Sequence, residues 1–153
     1  VVELTNGTLL STCCHLARGA GDDFPNPFTM SSDDGQTWLP TGSTGIMGQA
    51  EGLAPWKERE ALFVYNQRRC GEPGIWLAVA EPSAAGFGIT ANEIIWNPAT
   101  VTRGGGSAEF SNWTNYSFGE PAVTVLPDET VLIVFWCIQP HGRGIGYVRL
   151  RIT

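Results

Sequence analysis

The chain has 153 residues, 42% of them apolar and 16% charged, with a net charge of −6 and a pI near 4.8. That is long enough to bury one real core, and its 19 glycines and 10 prolines mark a turn-rich globular chain rather than a disordered one. The acidic balance argues against nucleic acid, which binds a basic face, and no apolar run approaches the length of a membrane span.

Taken in order, three segments repeat one plan: a short apolar strand, a turn, and a stronger apolar strand. The first has Val1–Leu4, the turn Thr5-Asn6-Gly7, and Thr8–His15. The second has Glu51–Pro55, a turn near Lys57–Arg59, and Glu60–Arg68. The third has Pro121–Leu126, the turn Pro127-Asp128-Glu129, and Thr130–Ile138. A third strand is predicted in each unit, at Pro27–Ser32, Gly74–Ala80 and Gly144–Arg151. Fourth strands are predicted at Thr37–Pro40 and Glu93–Asn97, each beside a Trp, and the third unit stops before one. Short strands separated by turn residues at this spacing predict an all-β protein without helices. Four strands per repeat of about 50 to 70 residues is the pattern of a propeller blade. A β-sandwich is the alternative, but it leaves the repeat unexplained.

The basic residues are eight arginines and a single lysine, Lys57. Arginine offers a planar fork to carboxylates and sugar hydroxyls, although a preference for Arg codons gives the same count. Cys13, Cys14, Cys70 and Cys137 have no C-x-x-C spacing, so neither a metal site nor any other cofactor is expected. Adjacent in a strand, Cys13 and Cys14 would face opposite sides. All four read as small core residues, with a Cys14–Cys70 disulfide as the alternative.

The stretch Ser31-Ser32-Asp33-Asp34-Gly35-Gln36-Thr37-Trp38 carries the most specific pattern, S-x-D-x-G-x-T-W. Ser31 and Asp33 have short side-chain oxygens that bond backbone N–H groups two residues on and close a turn. Gly35 accepts φ > 0. Thr37 and Trp38 restart a strand, and the indole offers apolar surface to a core. This stretch resembles the Asp-box, or bacterial neuraminidase repeat, of sialidase-like β-propellers. The turns T-N-G-T-L-L and P-D-E-T-V-L resemble the L-P-D-G-x-L turn of the same family, with Glu129 where the family has Gly. The resemblance implies an all-β, sialidase-like β-propeller of three four-stranded blades. Their limits are about 1–45, 46–118 and 119–153, the last without its outer strand. It is similar to the C-terminal half of a six-bladed ring, so either an N-terminal half is missing or two copies close the ring as a homo-oligomer. The Asp-box, with Ser31, Asp33, Gly35, Thr37 and Trp38, is structural in that family and lies on the face opposite the ligand.

The ligand face then collects His15–Asn26, Gly42–Glu51, Gln67–Pro73, Asn97–Glu120 and Gln139–Gly144. Glu51-Gly-Leu followed by Val64-Tyr65-Asn66-Gln67-Arg68-Arg69 resembles the sialidase stretch in which a Glu precedes an Arg by one hairpin. By that resemblance Arg68 and Arg69 grip a substrate carboxylate with charge-assisted bonds. Arg18, Arg143 and His141 are further substrate-binding candidates, and Trp113 and Tyr116 offer faces for a sugar ring. The family's tyrosine nucleophile is not matched: its position falls at Glu120, in Phe118-Gly119-Glu120-Pro121. A carboxylate pair is the consistent substitute, with Glu120 as nucleophile or base and Glu51 or Asp23 as acid. Alternatively Glu120 only holds Arg68 in an ion pair. The implied function is a sialidase-like glycoside hydrolase acting on an acidic or N-acetylated sugar. The alternatives are a non-catalytic carbohydrate-binding propeller, or a half-propeller whose role is assembly. Carbohydrate is the expected ligand in either of the first two, and the family resemblance slightly favours a secreted or periplasmic location.

Overall fold

The computed structural model describes residues 1–16, 23–49, 51–68, 70–98, 117–139 and 142–153. Among them the chain is all-β. The first sheet is built from β1 (Val2–Glu3), β2 (Leu9–Thr12), β5 (Pro27–Ser31) and β6 (Gly42–Ser43) in the order β1-β2-β5-β6, with β3 (His15–Leu16) and β4 (Asp23–Phe24) forming a small hairpin between β2 and β5. The second sheet runs β7 (Glu51–Trp56), β8 (Glu60–Gln67), β9 (Gly74–Ala80), β10 (Ile89–Trp96). The third runs β11 (Phe118–Val125), β12 (Val131–Gln139), β13 (Gly142–Leu150). Every neighbouring pair is antiparallel, and each main sheet follows chain order from one edge to the other.

The three sheets stack face to face, and alternation along β8 explains how. Ala61, Phe63 and Tyr65 point to the first sheet, where Leu10, Phe28 and Met30 meet them. Leu62 and Val64 point to the third, against Phe118, Val131, Ile133 and Phe135. The middle sheet is thus buried on both faces, and β8 reads as a continuous apolar run for that reason. Small residues facing large ones let the first core close: Ala61, Ala78 and Ala80 leave room for Phe28, Phe63 and Phe87, whose rings lie 5.1 and 5.6 Å apart. In the second core Trp96 lies edge-on to Phe118 at 5.3 Å and tilted to Phe135 at 4.8 Å. Two separate cores between three sheets are a repeating stack, not a single sandwich.

The strands fall close to the predicted ones, with three corrections. Thr37–Pro40 is not a strand; the outer strand of the first sheet is the two-residue β6 at Gly42–Ser43. Trp38 does not enter a core. It is 41% exposed, and its Nε1 donates to the Gly35 carbonyl at 3.1 Å, folding the indole back over its own turn. Cys13 and Cys14 lie between β2 and β3 rather than in a strand; both are exposed, and Cys14 is a free thiol, so the Cys14–Cys70 bridge is not formed.

The Ser31–Trp38 turn is self-contained. The Ser31 hydroxyl donates to Asp33 Oδ1 at 2.8 Å and accepts from the Gly35 N–H at 2.9 Å. Asp33 accepts from the Thr37 N–H at 2.8 Å and the Thr37 hydroxyl at 2.6 Å. The Ser31 hydroxyl also accepts from the Asp33 N–H, two residues on, at 3.4 Å, and Asp34 (φ 56°) and Gly35 (φ 82°) are both left-handed. These bonds hold the Asp33 carboxyl down to about 2, the Thr37 hydroxyl contributing most.

The first and third units share another turn in detail. Leu4 N–H bonds Thr8 O and Gly7 N–H bonds Leu4 O, at 2.8 and 2.9 Å. Leu126, Thr130 and Glu129 repeat both bonds at 2.8 and 2.9 Å. Asn6 and Asp128 each accept from the N–H two residues on. Gly7 at φ 82° and Glu129 at φ 61° hold the same place.

The third sheet has three strands among the described residues. One of its faces packs on the second sheet. The other carries Leu132, Val134, Trp136 and Ile138 on β12, paired across to Arg149, Tyr147, Ile145 and Arg143 on β13. Ile145 and Tyr147 are 74% and 72% exposed. Among the described residues no helix is long and apolar enough to cross a membrane.

Candidate functional site

β7 and β11 are the first strands of the second and third sheets, and they run side by side. The backbone of Gly52 packs so closely on β11 that a Cβ there would sit 3.0 Å from the Pro121 carbonyl oxygen. This contact brings together the two strands that carry Glu51 and Glu120. Both carboxylates lie close enough to the Cys14 thiol to raise it electrostatically, after the larger effect of its burial.

Glu51 is half-buried. Its Oε2 accepts from Asn26 Nδ2, and among the described residues its Oε1 is buried without a hydrogen-bond partner. Burial pushes the carboxyl above the ordinary range for a glutamate, while hydrogen bonds from Thr12 and Asn26 pull the other way. Asn26 itself is fully buried and rigidly held. Its N–H donates to Ile46 O at 2.7 Å, and its carbonyl accepts from the Thr44 N–H and hydroxyl at 2.9 and 2.8 Å. Sequence reasoning missed Asn26. The signal was its place in Pro25-Asn26-Pro27, where two prolines restrict the chain around a polar side chain.

Glu120 is exposed and sits on an irregularity of β11, where the register with β12 shifts between Gly119 and Ala122. Its φ of 51° is unusual for a residue with a side chain. Bulges of this kind re-aim side chains at functional edges. Beneath it lies Arg68, only 6% exposed. Arg68 Nη1 donates to the Phe118 carbonyl at 3.1 Å, and its N–H donates to Gln49 Oε1 at 3.0 Å. Gly119 covers the guanidinium: a Cβ there would be 2.8 Å from Nη1. So Arg68 braces the backbone that presents Glu120.

Arg143 is exposed on β13, at the same end of the third sheet as Phe118. His15 is exposed and its ring lies 4.8 Å from that of Phe24. Asp23 pairs with Leu16 in the small hairpin, and its side chain lies outside the described residues. Arg18, Arg69, Trp113, Tyr116 and His141 also lie outside them. Ser31, Asp33, Gly35, Thr37 and Trp38 sit at the far end of β5 from Asn26. Among the described residues no three His, Cys, Asp or Glu side chains gather as a metal site.

No family model and no curated protein matches the chain. Solved structures do. A protein of unknown function from Dyadobacter fermentans superposes on 99% of the chain with a TM-score of 0.67 at 19% identity. A thermostable family-43 glycoside hydrolase superposes on 99% with a TM-score of 0.55 at 15% identity. The chain has a β-propeller-type fold. It spans 37% and 53% of the lengths of those two proteins.

Proposed function

We propose that this chain supplies the carboxylate pair of a propeller-type glycoside hydrolase, with Glu51 as general acid and Glu120 as nucleophile or base. The observation that carries the reading is Glu51: a half-buried carboxylate with one oxygen held by Asn26 and the other buried without a hydrogen-bond partner among the described residues, on a strand packed against the one that carries the exposed Glu120. Burial raises the Glu51 carboxyl above the ordinary glutamate range, the direction that favours proton donation to a leaving oxygen. Glu120, open to solvent, suits attack on the anomeric carbon or activation of a water. Arg68 acts through Glu120 as a positioning residue, by fixing the Phe118 carbonyl two residues before it. In the finer reading the sugar is acidic or N-acetylated, as in sialidases, with arginines of the same end, Arg143 among them, taking its carboxylate.

A panel of aryl glycosides, sialosides included, tests this. Glu51→Gln is expected to lose about 10²- to 10⁴-fold on substrates with poor leaving groups and to recover on dinitrophenyl glycosides, whose departure needs no acid. Glu120→Gln should not recover. Turnover of none of the panel refutes hydrolysis, and binding without turnover favours a carbohydrate-binding propeller. A third reading, assembly into a closed ring, draws on the apolar outward face of the third sheet.

A further inference from the structure

The strands that carry Glu51 and Glu120 also build a second cavity at their opposite ends. It measures about 530 Å³, within the range of small-molecule sites. Trp56, Val125 and Ile152 line it as apolar walls, and Lys57, Glu129 and Arg151 bring charge to it. From Glu51 to Trp56 is five steps along β7, about 16 Å at ~3.3 Å per residue, so the two sites are distinct.

Two features separate this cavity from an ordinary crease between turns. First, Arg151 and Glu129 are exposed and form no ion pair among the described residues, while Lys57 reaches Glu60 at 3.7 Å and lies over the Trp56 ring at 5.9 Å. Second, Glu129 stands where the backbone wants glycine. The equivalent turn of the first unit has Gly7 at φ 82°, with the same hydrogen bonds, and Glu129 adopts φ 61° in its place. A side chain in the left-handed region is disfavoured, and Glu129 lines the cavity from that position.

We propose that this cavity binds a monosaccharide-sized sugar acid, a uronate in chemical class, at a site separate from Glu51 and Glu120. The Arg151 guanidinium takes the ligand's carboxylate as a planar fork, with the Lys57 ammonium as a second positive charge. Glu129 accepts hydroxyl protons, which a simple anion lacks. Trp56, Val125 and Ile152 face the C–H surface of the ring.

Calorimetric titration of the full chain with glucuronate, glucose and inorganic phosphate tests it. Glucuronate is expected to bind, with glucose and phosphate at least 10-fold weaker. Arg151→Ala should weaken glucuronate by 10-fold or more. Glu129→Gly is the decisive variant. It should raise the melting temperature by releasing the left-handed side chain, yet weaken glucuronate, so the loss cannot come from unfolding. Binding that survives Arg151→Ala, phosphate binding as tight as glucuronate, or no heat from glucuronate overturns the proposal.

Discussion

Gly119→Ala is the sharpest probe of how Glu120 is held. The new methyl would stand 2.8 Å from Arg68 Nη1 and 3.4 Å from Trp136 Nε1. An arginine tip usually swings aside at little cost, but this one is 6% exposed and bonded to the Phe118 carbonyl. To make room it must give up that bond. A hydrogen bond from a charged group contributes about 1.5–3 kcal/mol, and the displaced guanidinium finds no water in the core. The expected loss is therefore about 2–3 kcal/mol, or roughly 4–12 °C of melting temperature at ~2–4 °C per kcal/mol for a chain of this size. Gly144→Ala is the internal control, since nothing lies within 4 Å of a Cβ there; it should stay within ~0.5 kcal/mol of wild type. Urea denaturation of both variants by tryptophan fluorescence gives the comparison. Equal midpoints would refute the packing of Arg68 under Gly119, and with it the positioning role.

Glu51→Gln bears on stability as well as catalysis. A folded pKa raised by burial means that the stability held by neutral Glu51 is present below the ordinary glutamate range and lost as pH rises through the folded value. The glutamine variant should therefore melt higher than wild type at neutral pH, and the gap should close on acidification; a constant gap would contradict the burial. Asp33 works the other way. Its depressed carboxyl contributes stability above its ordinary pKa that disappears as pH falls toward about 2, so Asp33→Ala should be destabilising at pH 7 and nearly neutral at pH 2, read by thermal melts, with ligand binding unchanged throughout. Glu120→Gly should gain about 1 kcal/mol by relaxing φ 51° while abolishing any turnover. Light scattering addresses the outward face of the third sheet: a two-fold assembly burying more than ~2,000 Å² should appear as a dimer, and a monomer at micromolar concentration would sink ring closure by a second copy.

Local chemistry made the strands legible. Apolar runs at Glu60–Gln67 and Gly74–Ala80 and turn residues at Asn6-Gly7 and Pro127-Asp128 each fix structure within a few residues. Thr37–Pro40 misled because Trp38 satisfies β propensity yet finds its partner in the Gly35 carbonyl, four bonds of side chain being enough to reach back across the turn. The site was half legible. Glu51 and Glu120 are marked by the resemblance, but what tunes Glu51 is its burial, opposed by hydrogen bonds from Thr12 and from Asn26, 25 residues away, and what aims Glu120 is a bulge and a buried arginine. Those are tertiary facts: a register shift and a contact between sheets leave no local pattern. The second cavity was legible only as an oddity, a Glu where a Gly belongs.

The double-sided burial of the middle sheet gives the chain a hierarchy of opening. The first and third sheets each rest on one face of the second and are held to it by separate cores, Phe28 and Phe87 on one side, Phe118 and Phe135 on the other. Either outer sheet can loosen while its opposite core stays shut, so amide protons of Leu62–Tyr65 should exchange last and those of the flanks earlier and independently. Asn26 reaches Glu51 from the first sheet, and Glu120 stands on the third, whose β11 packs on β7. A fluctuation of either flank therefore disconnects one half of the carboxylate pair without unfolding the other, which makes the site sensitive to motions the bulk of the chain survives.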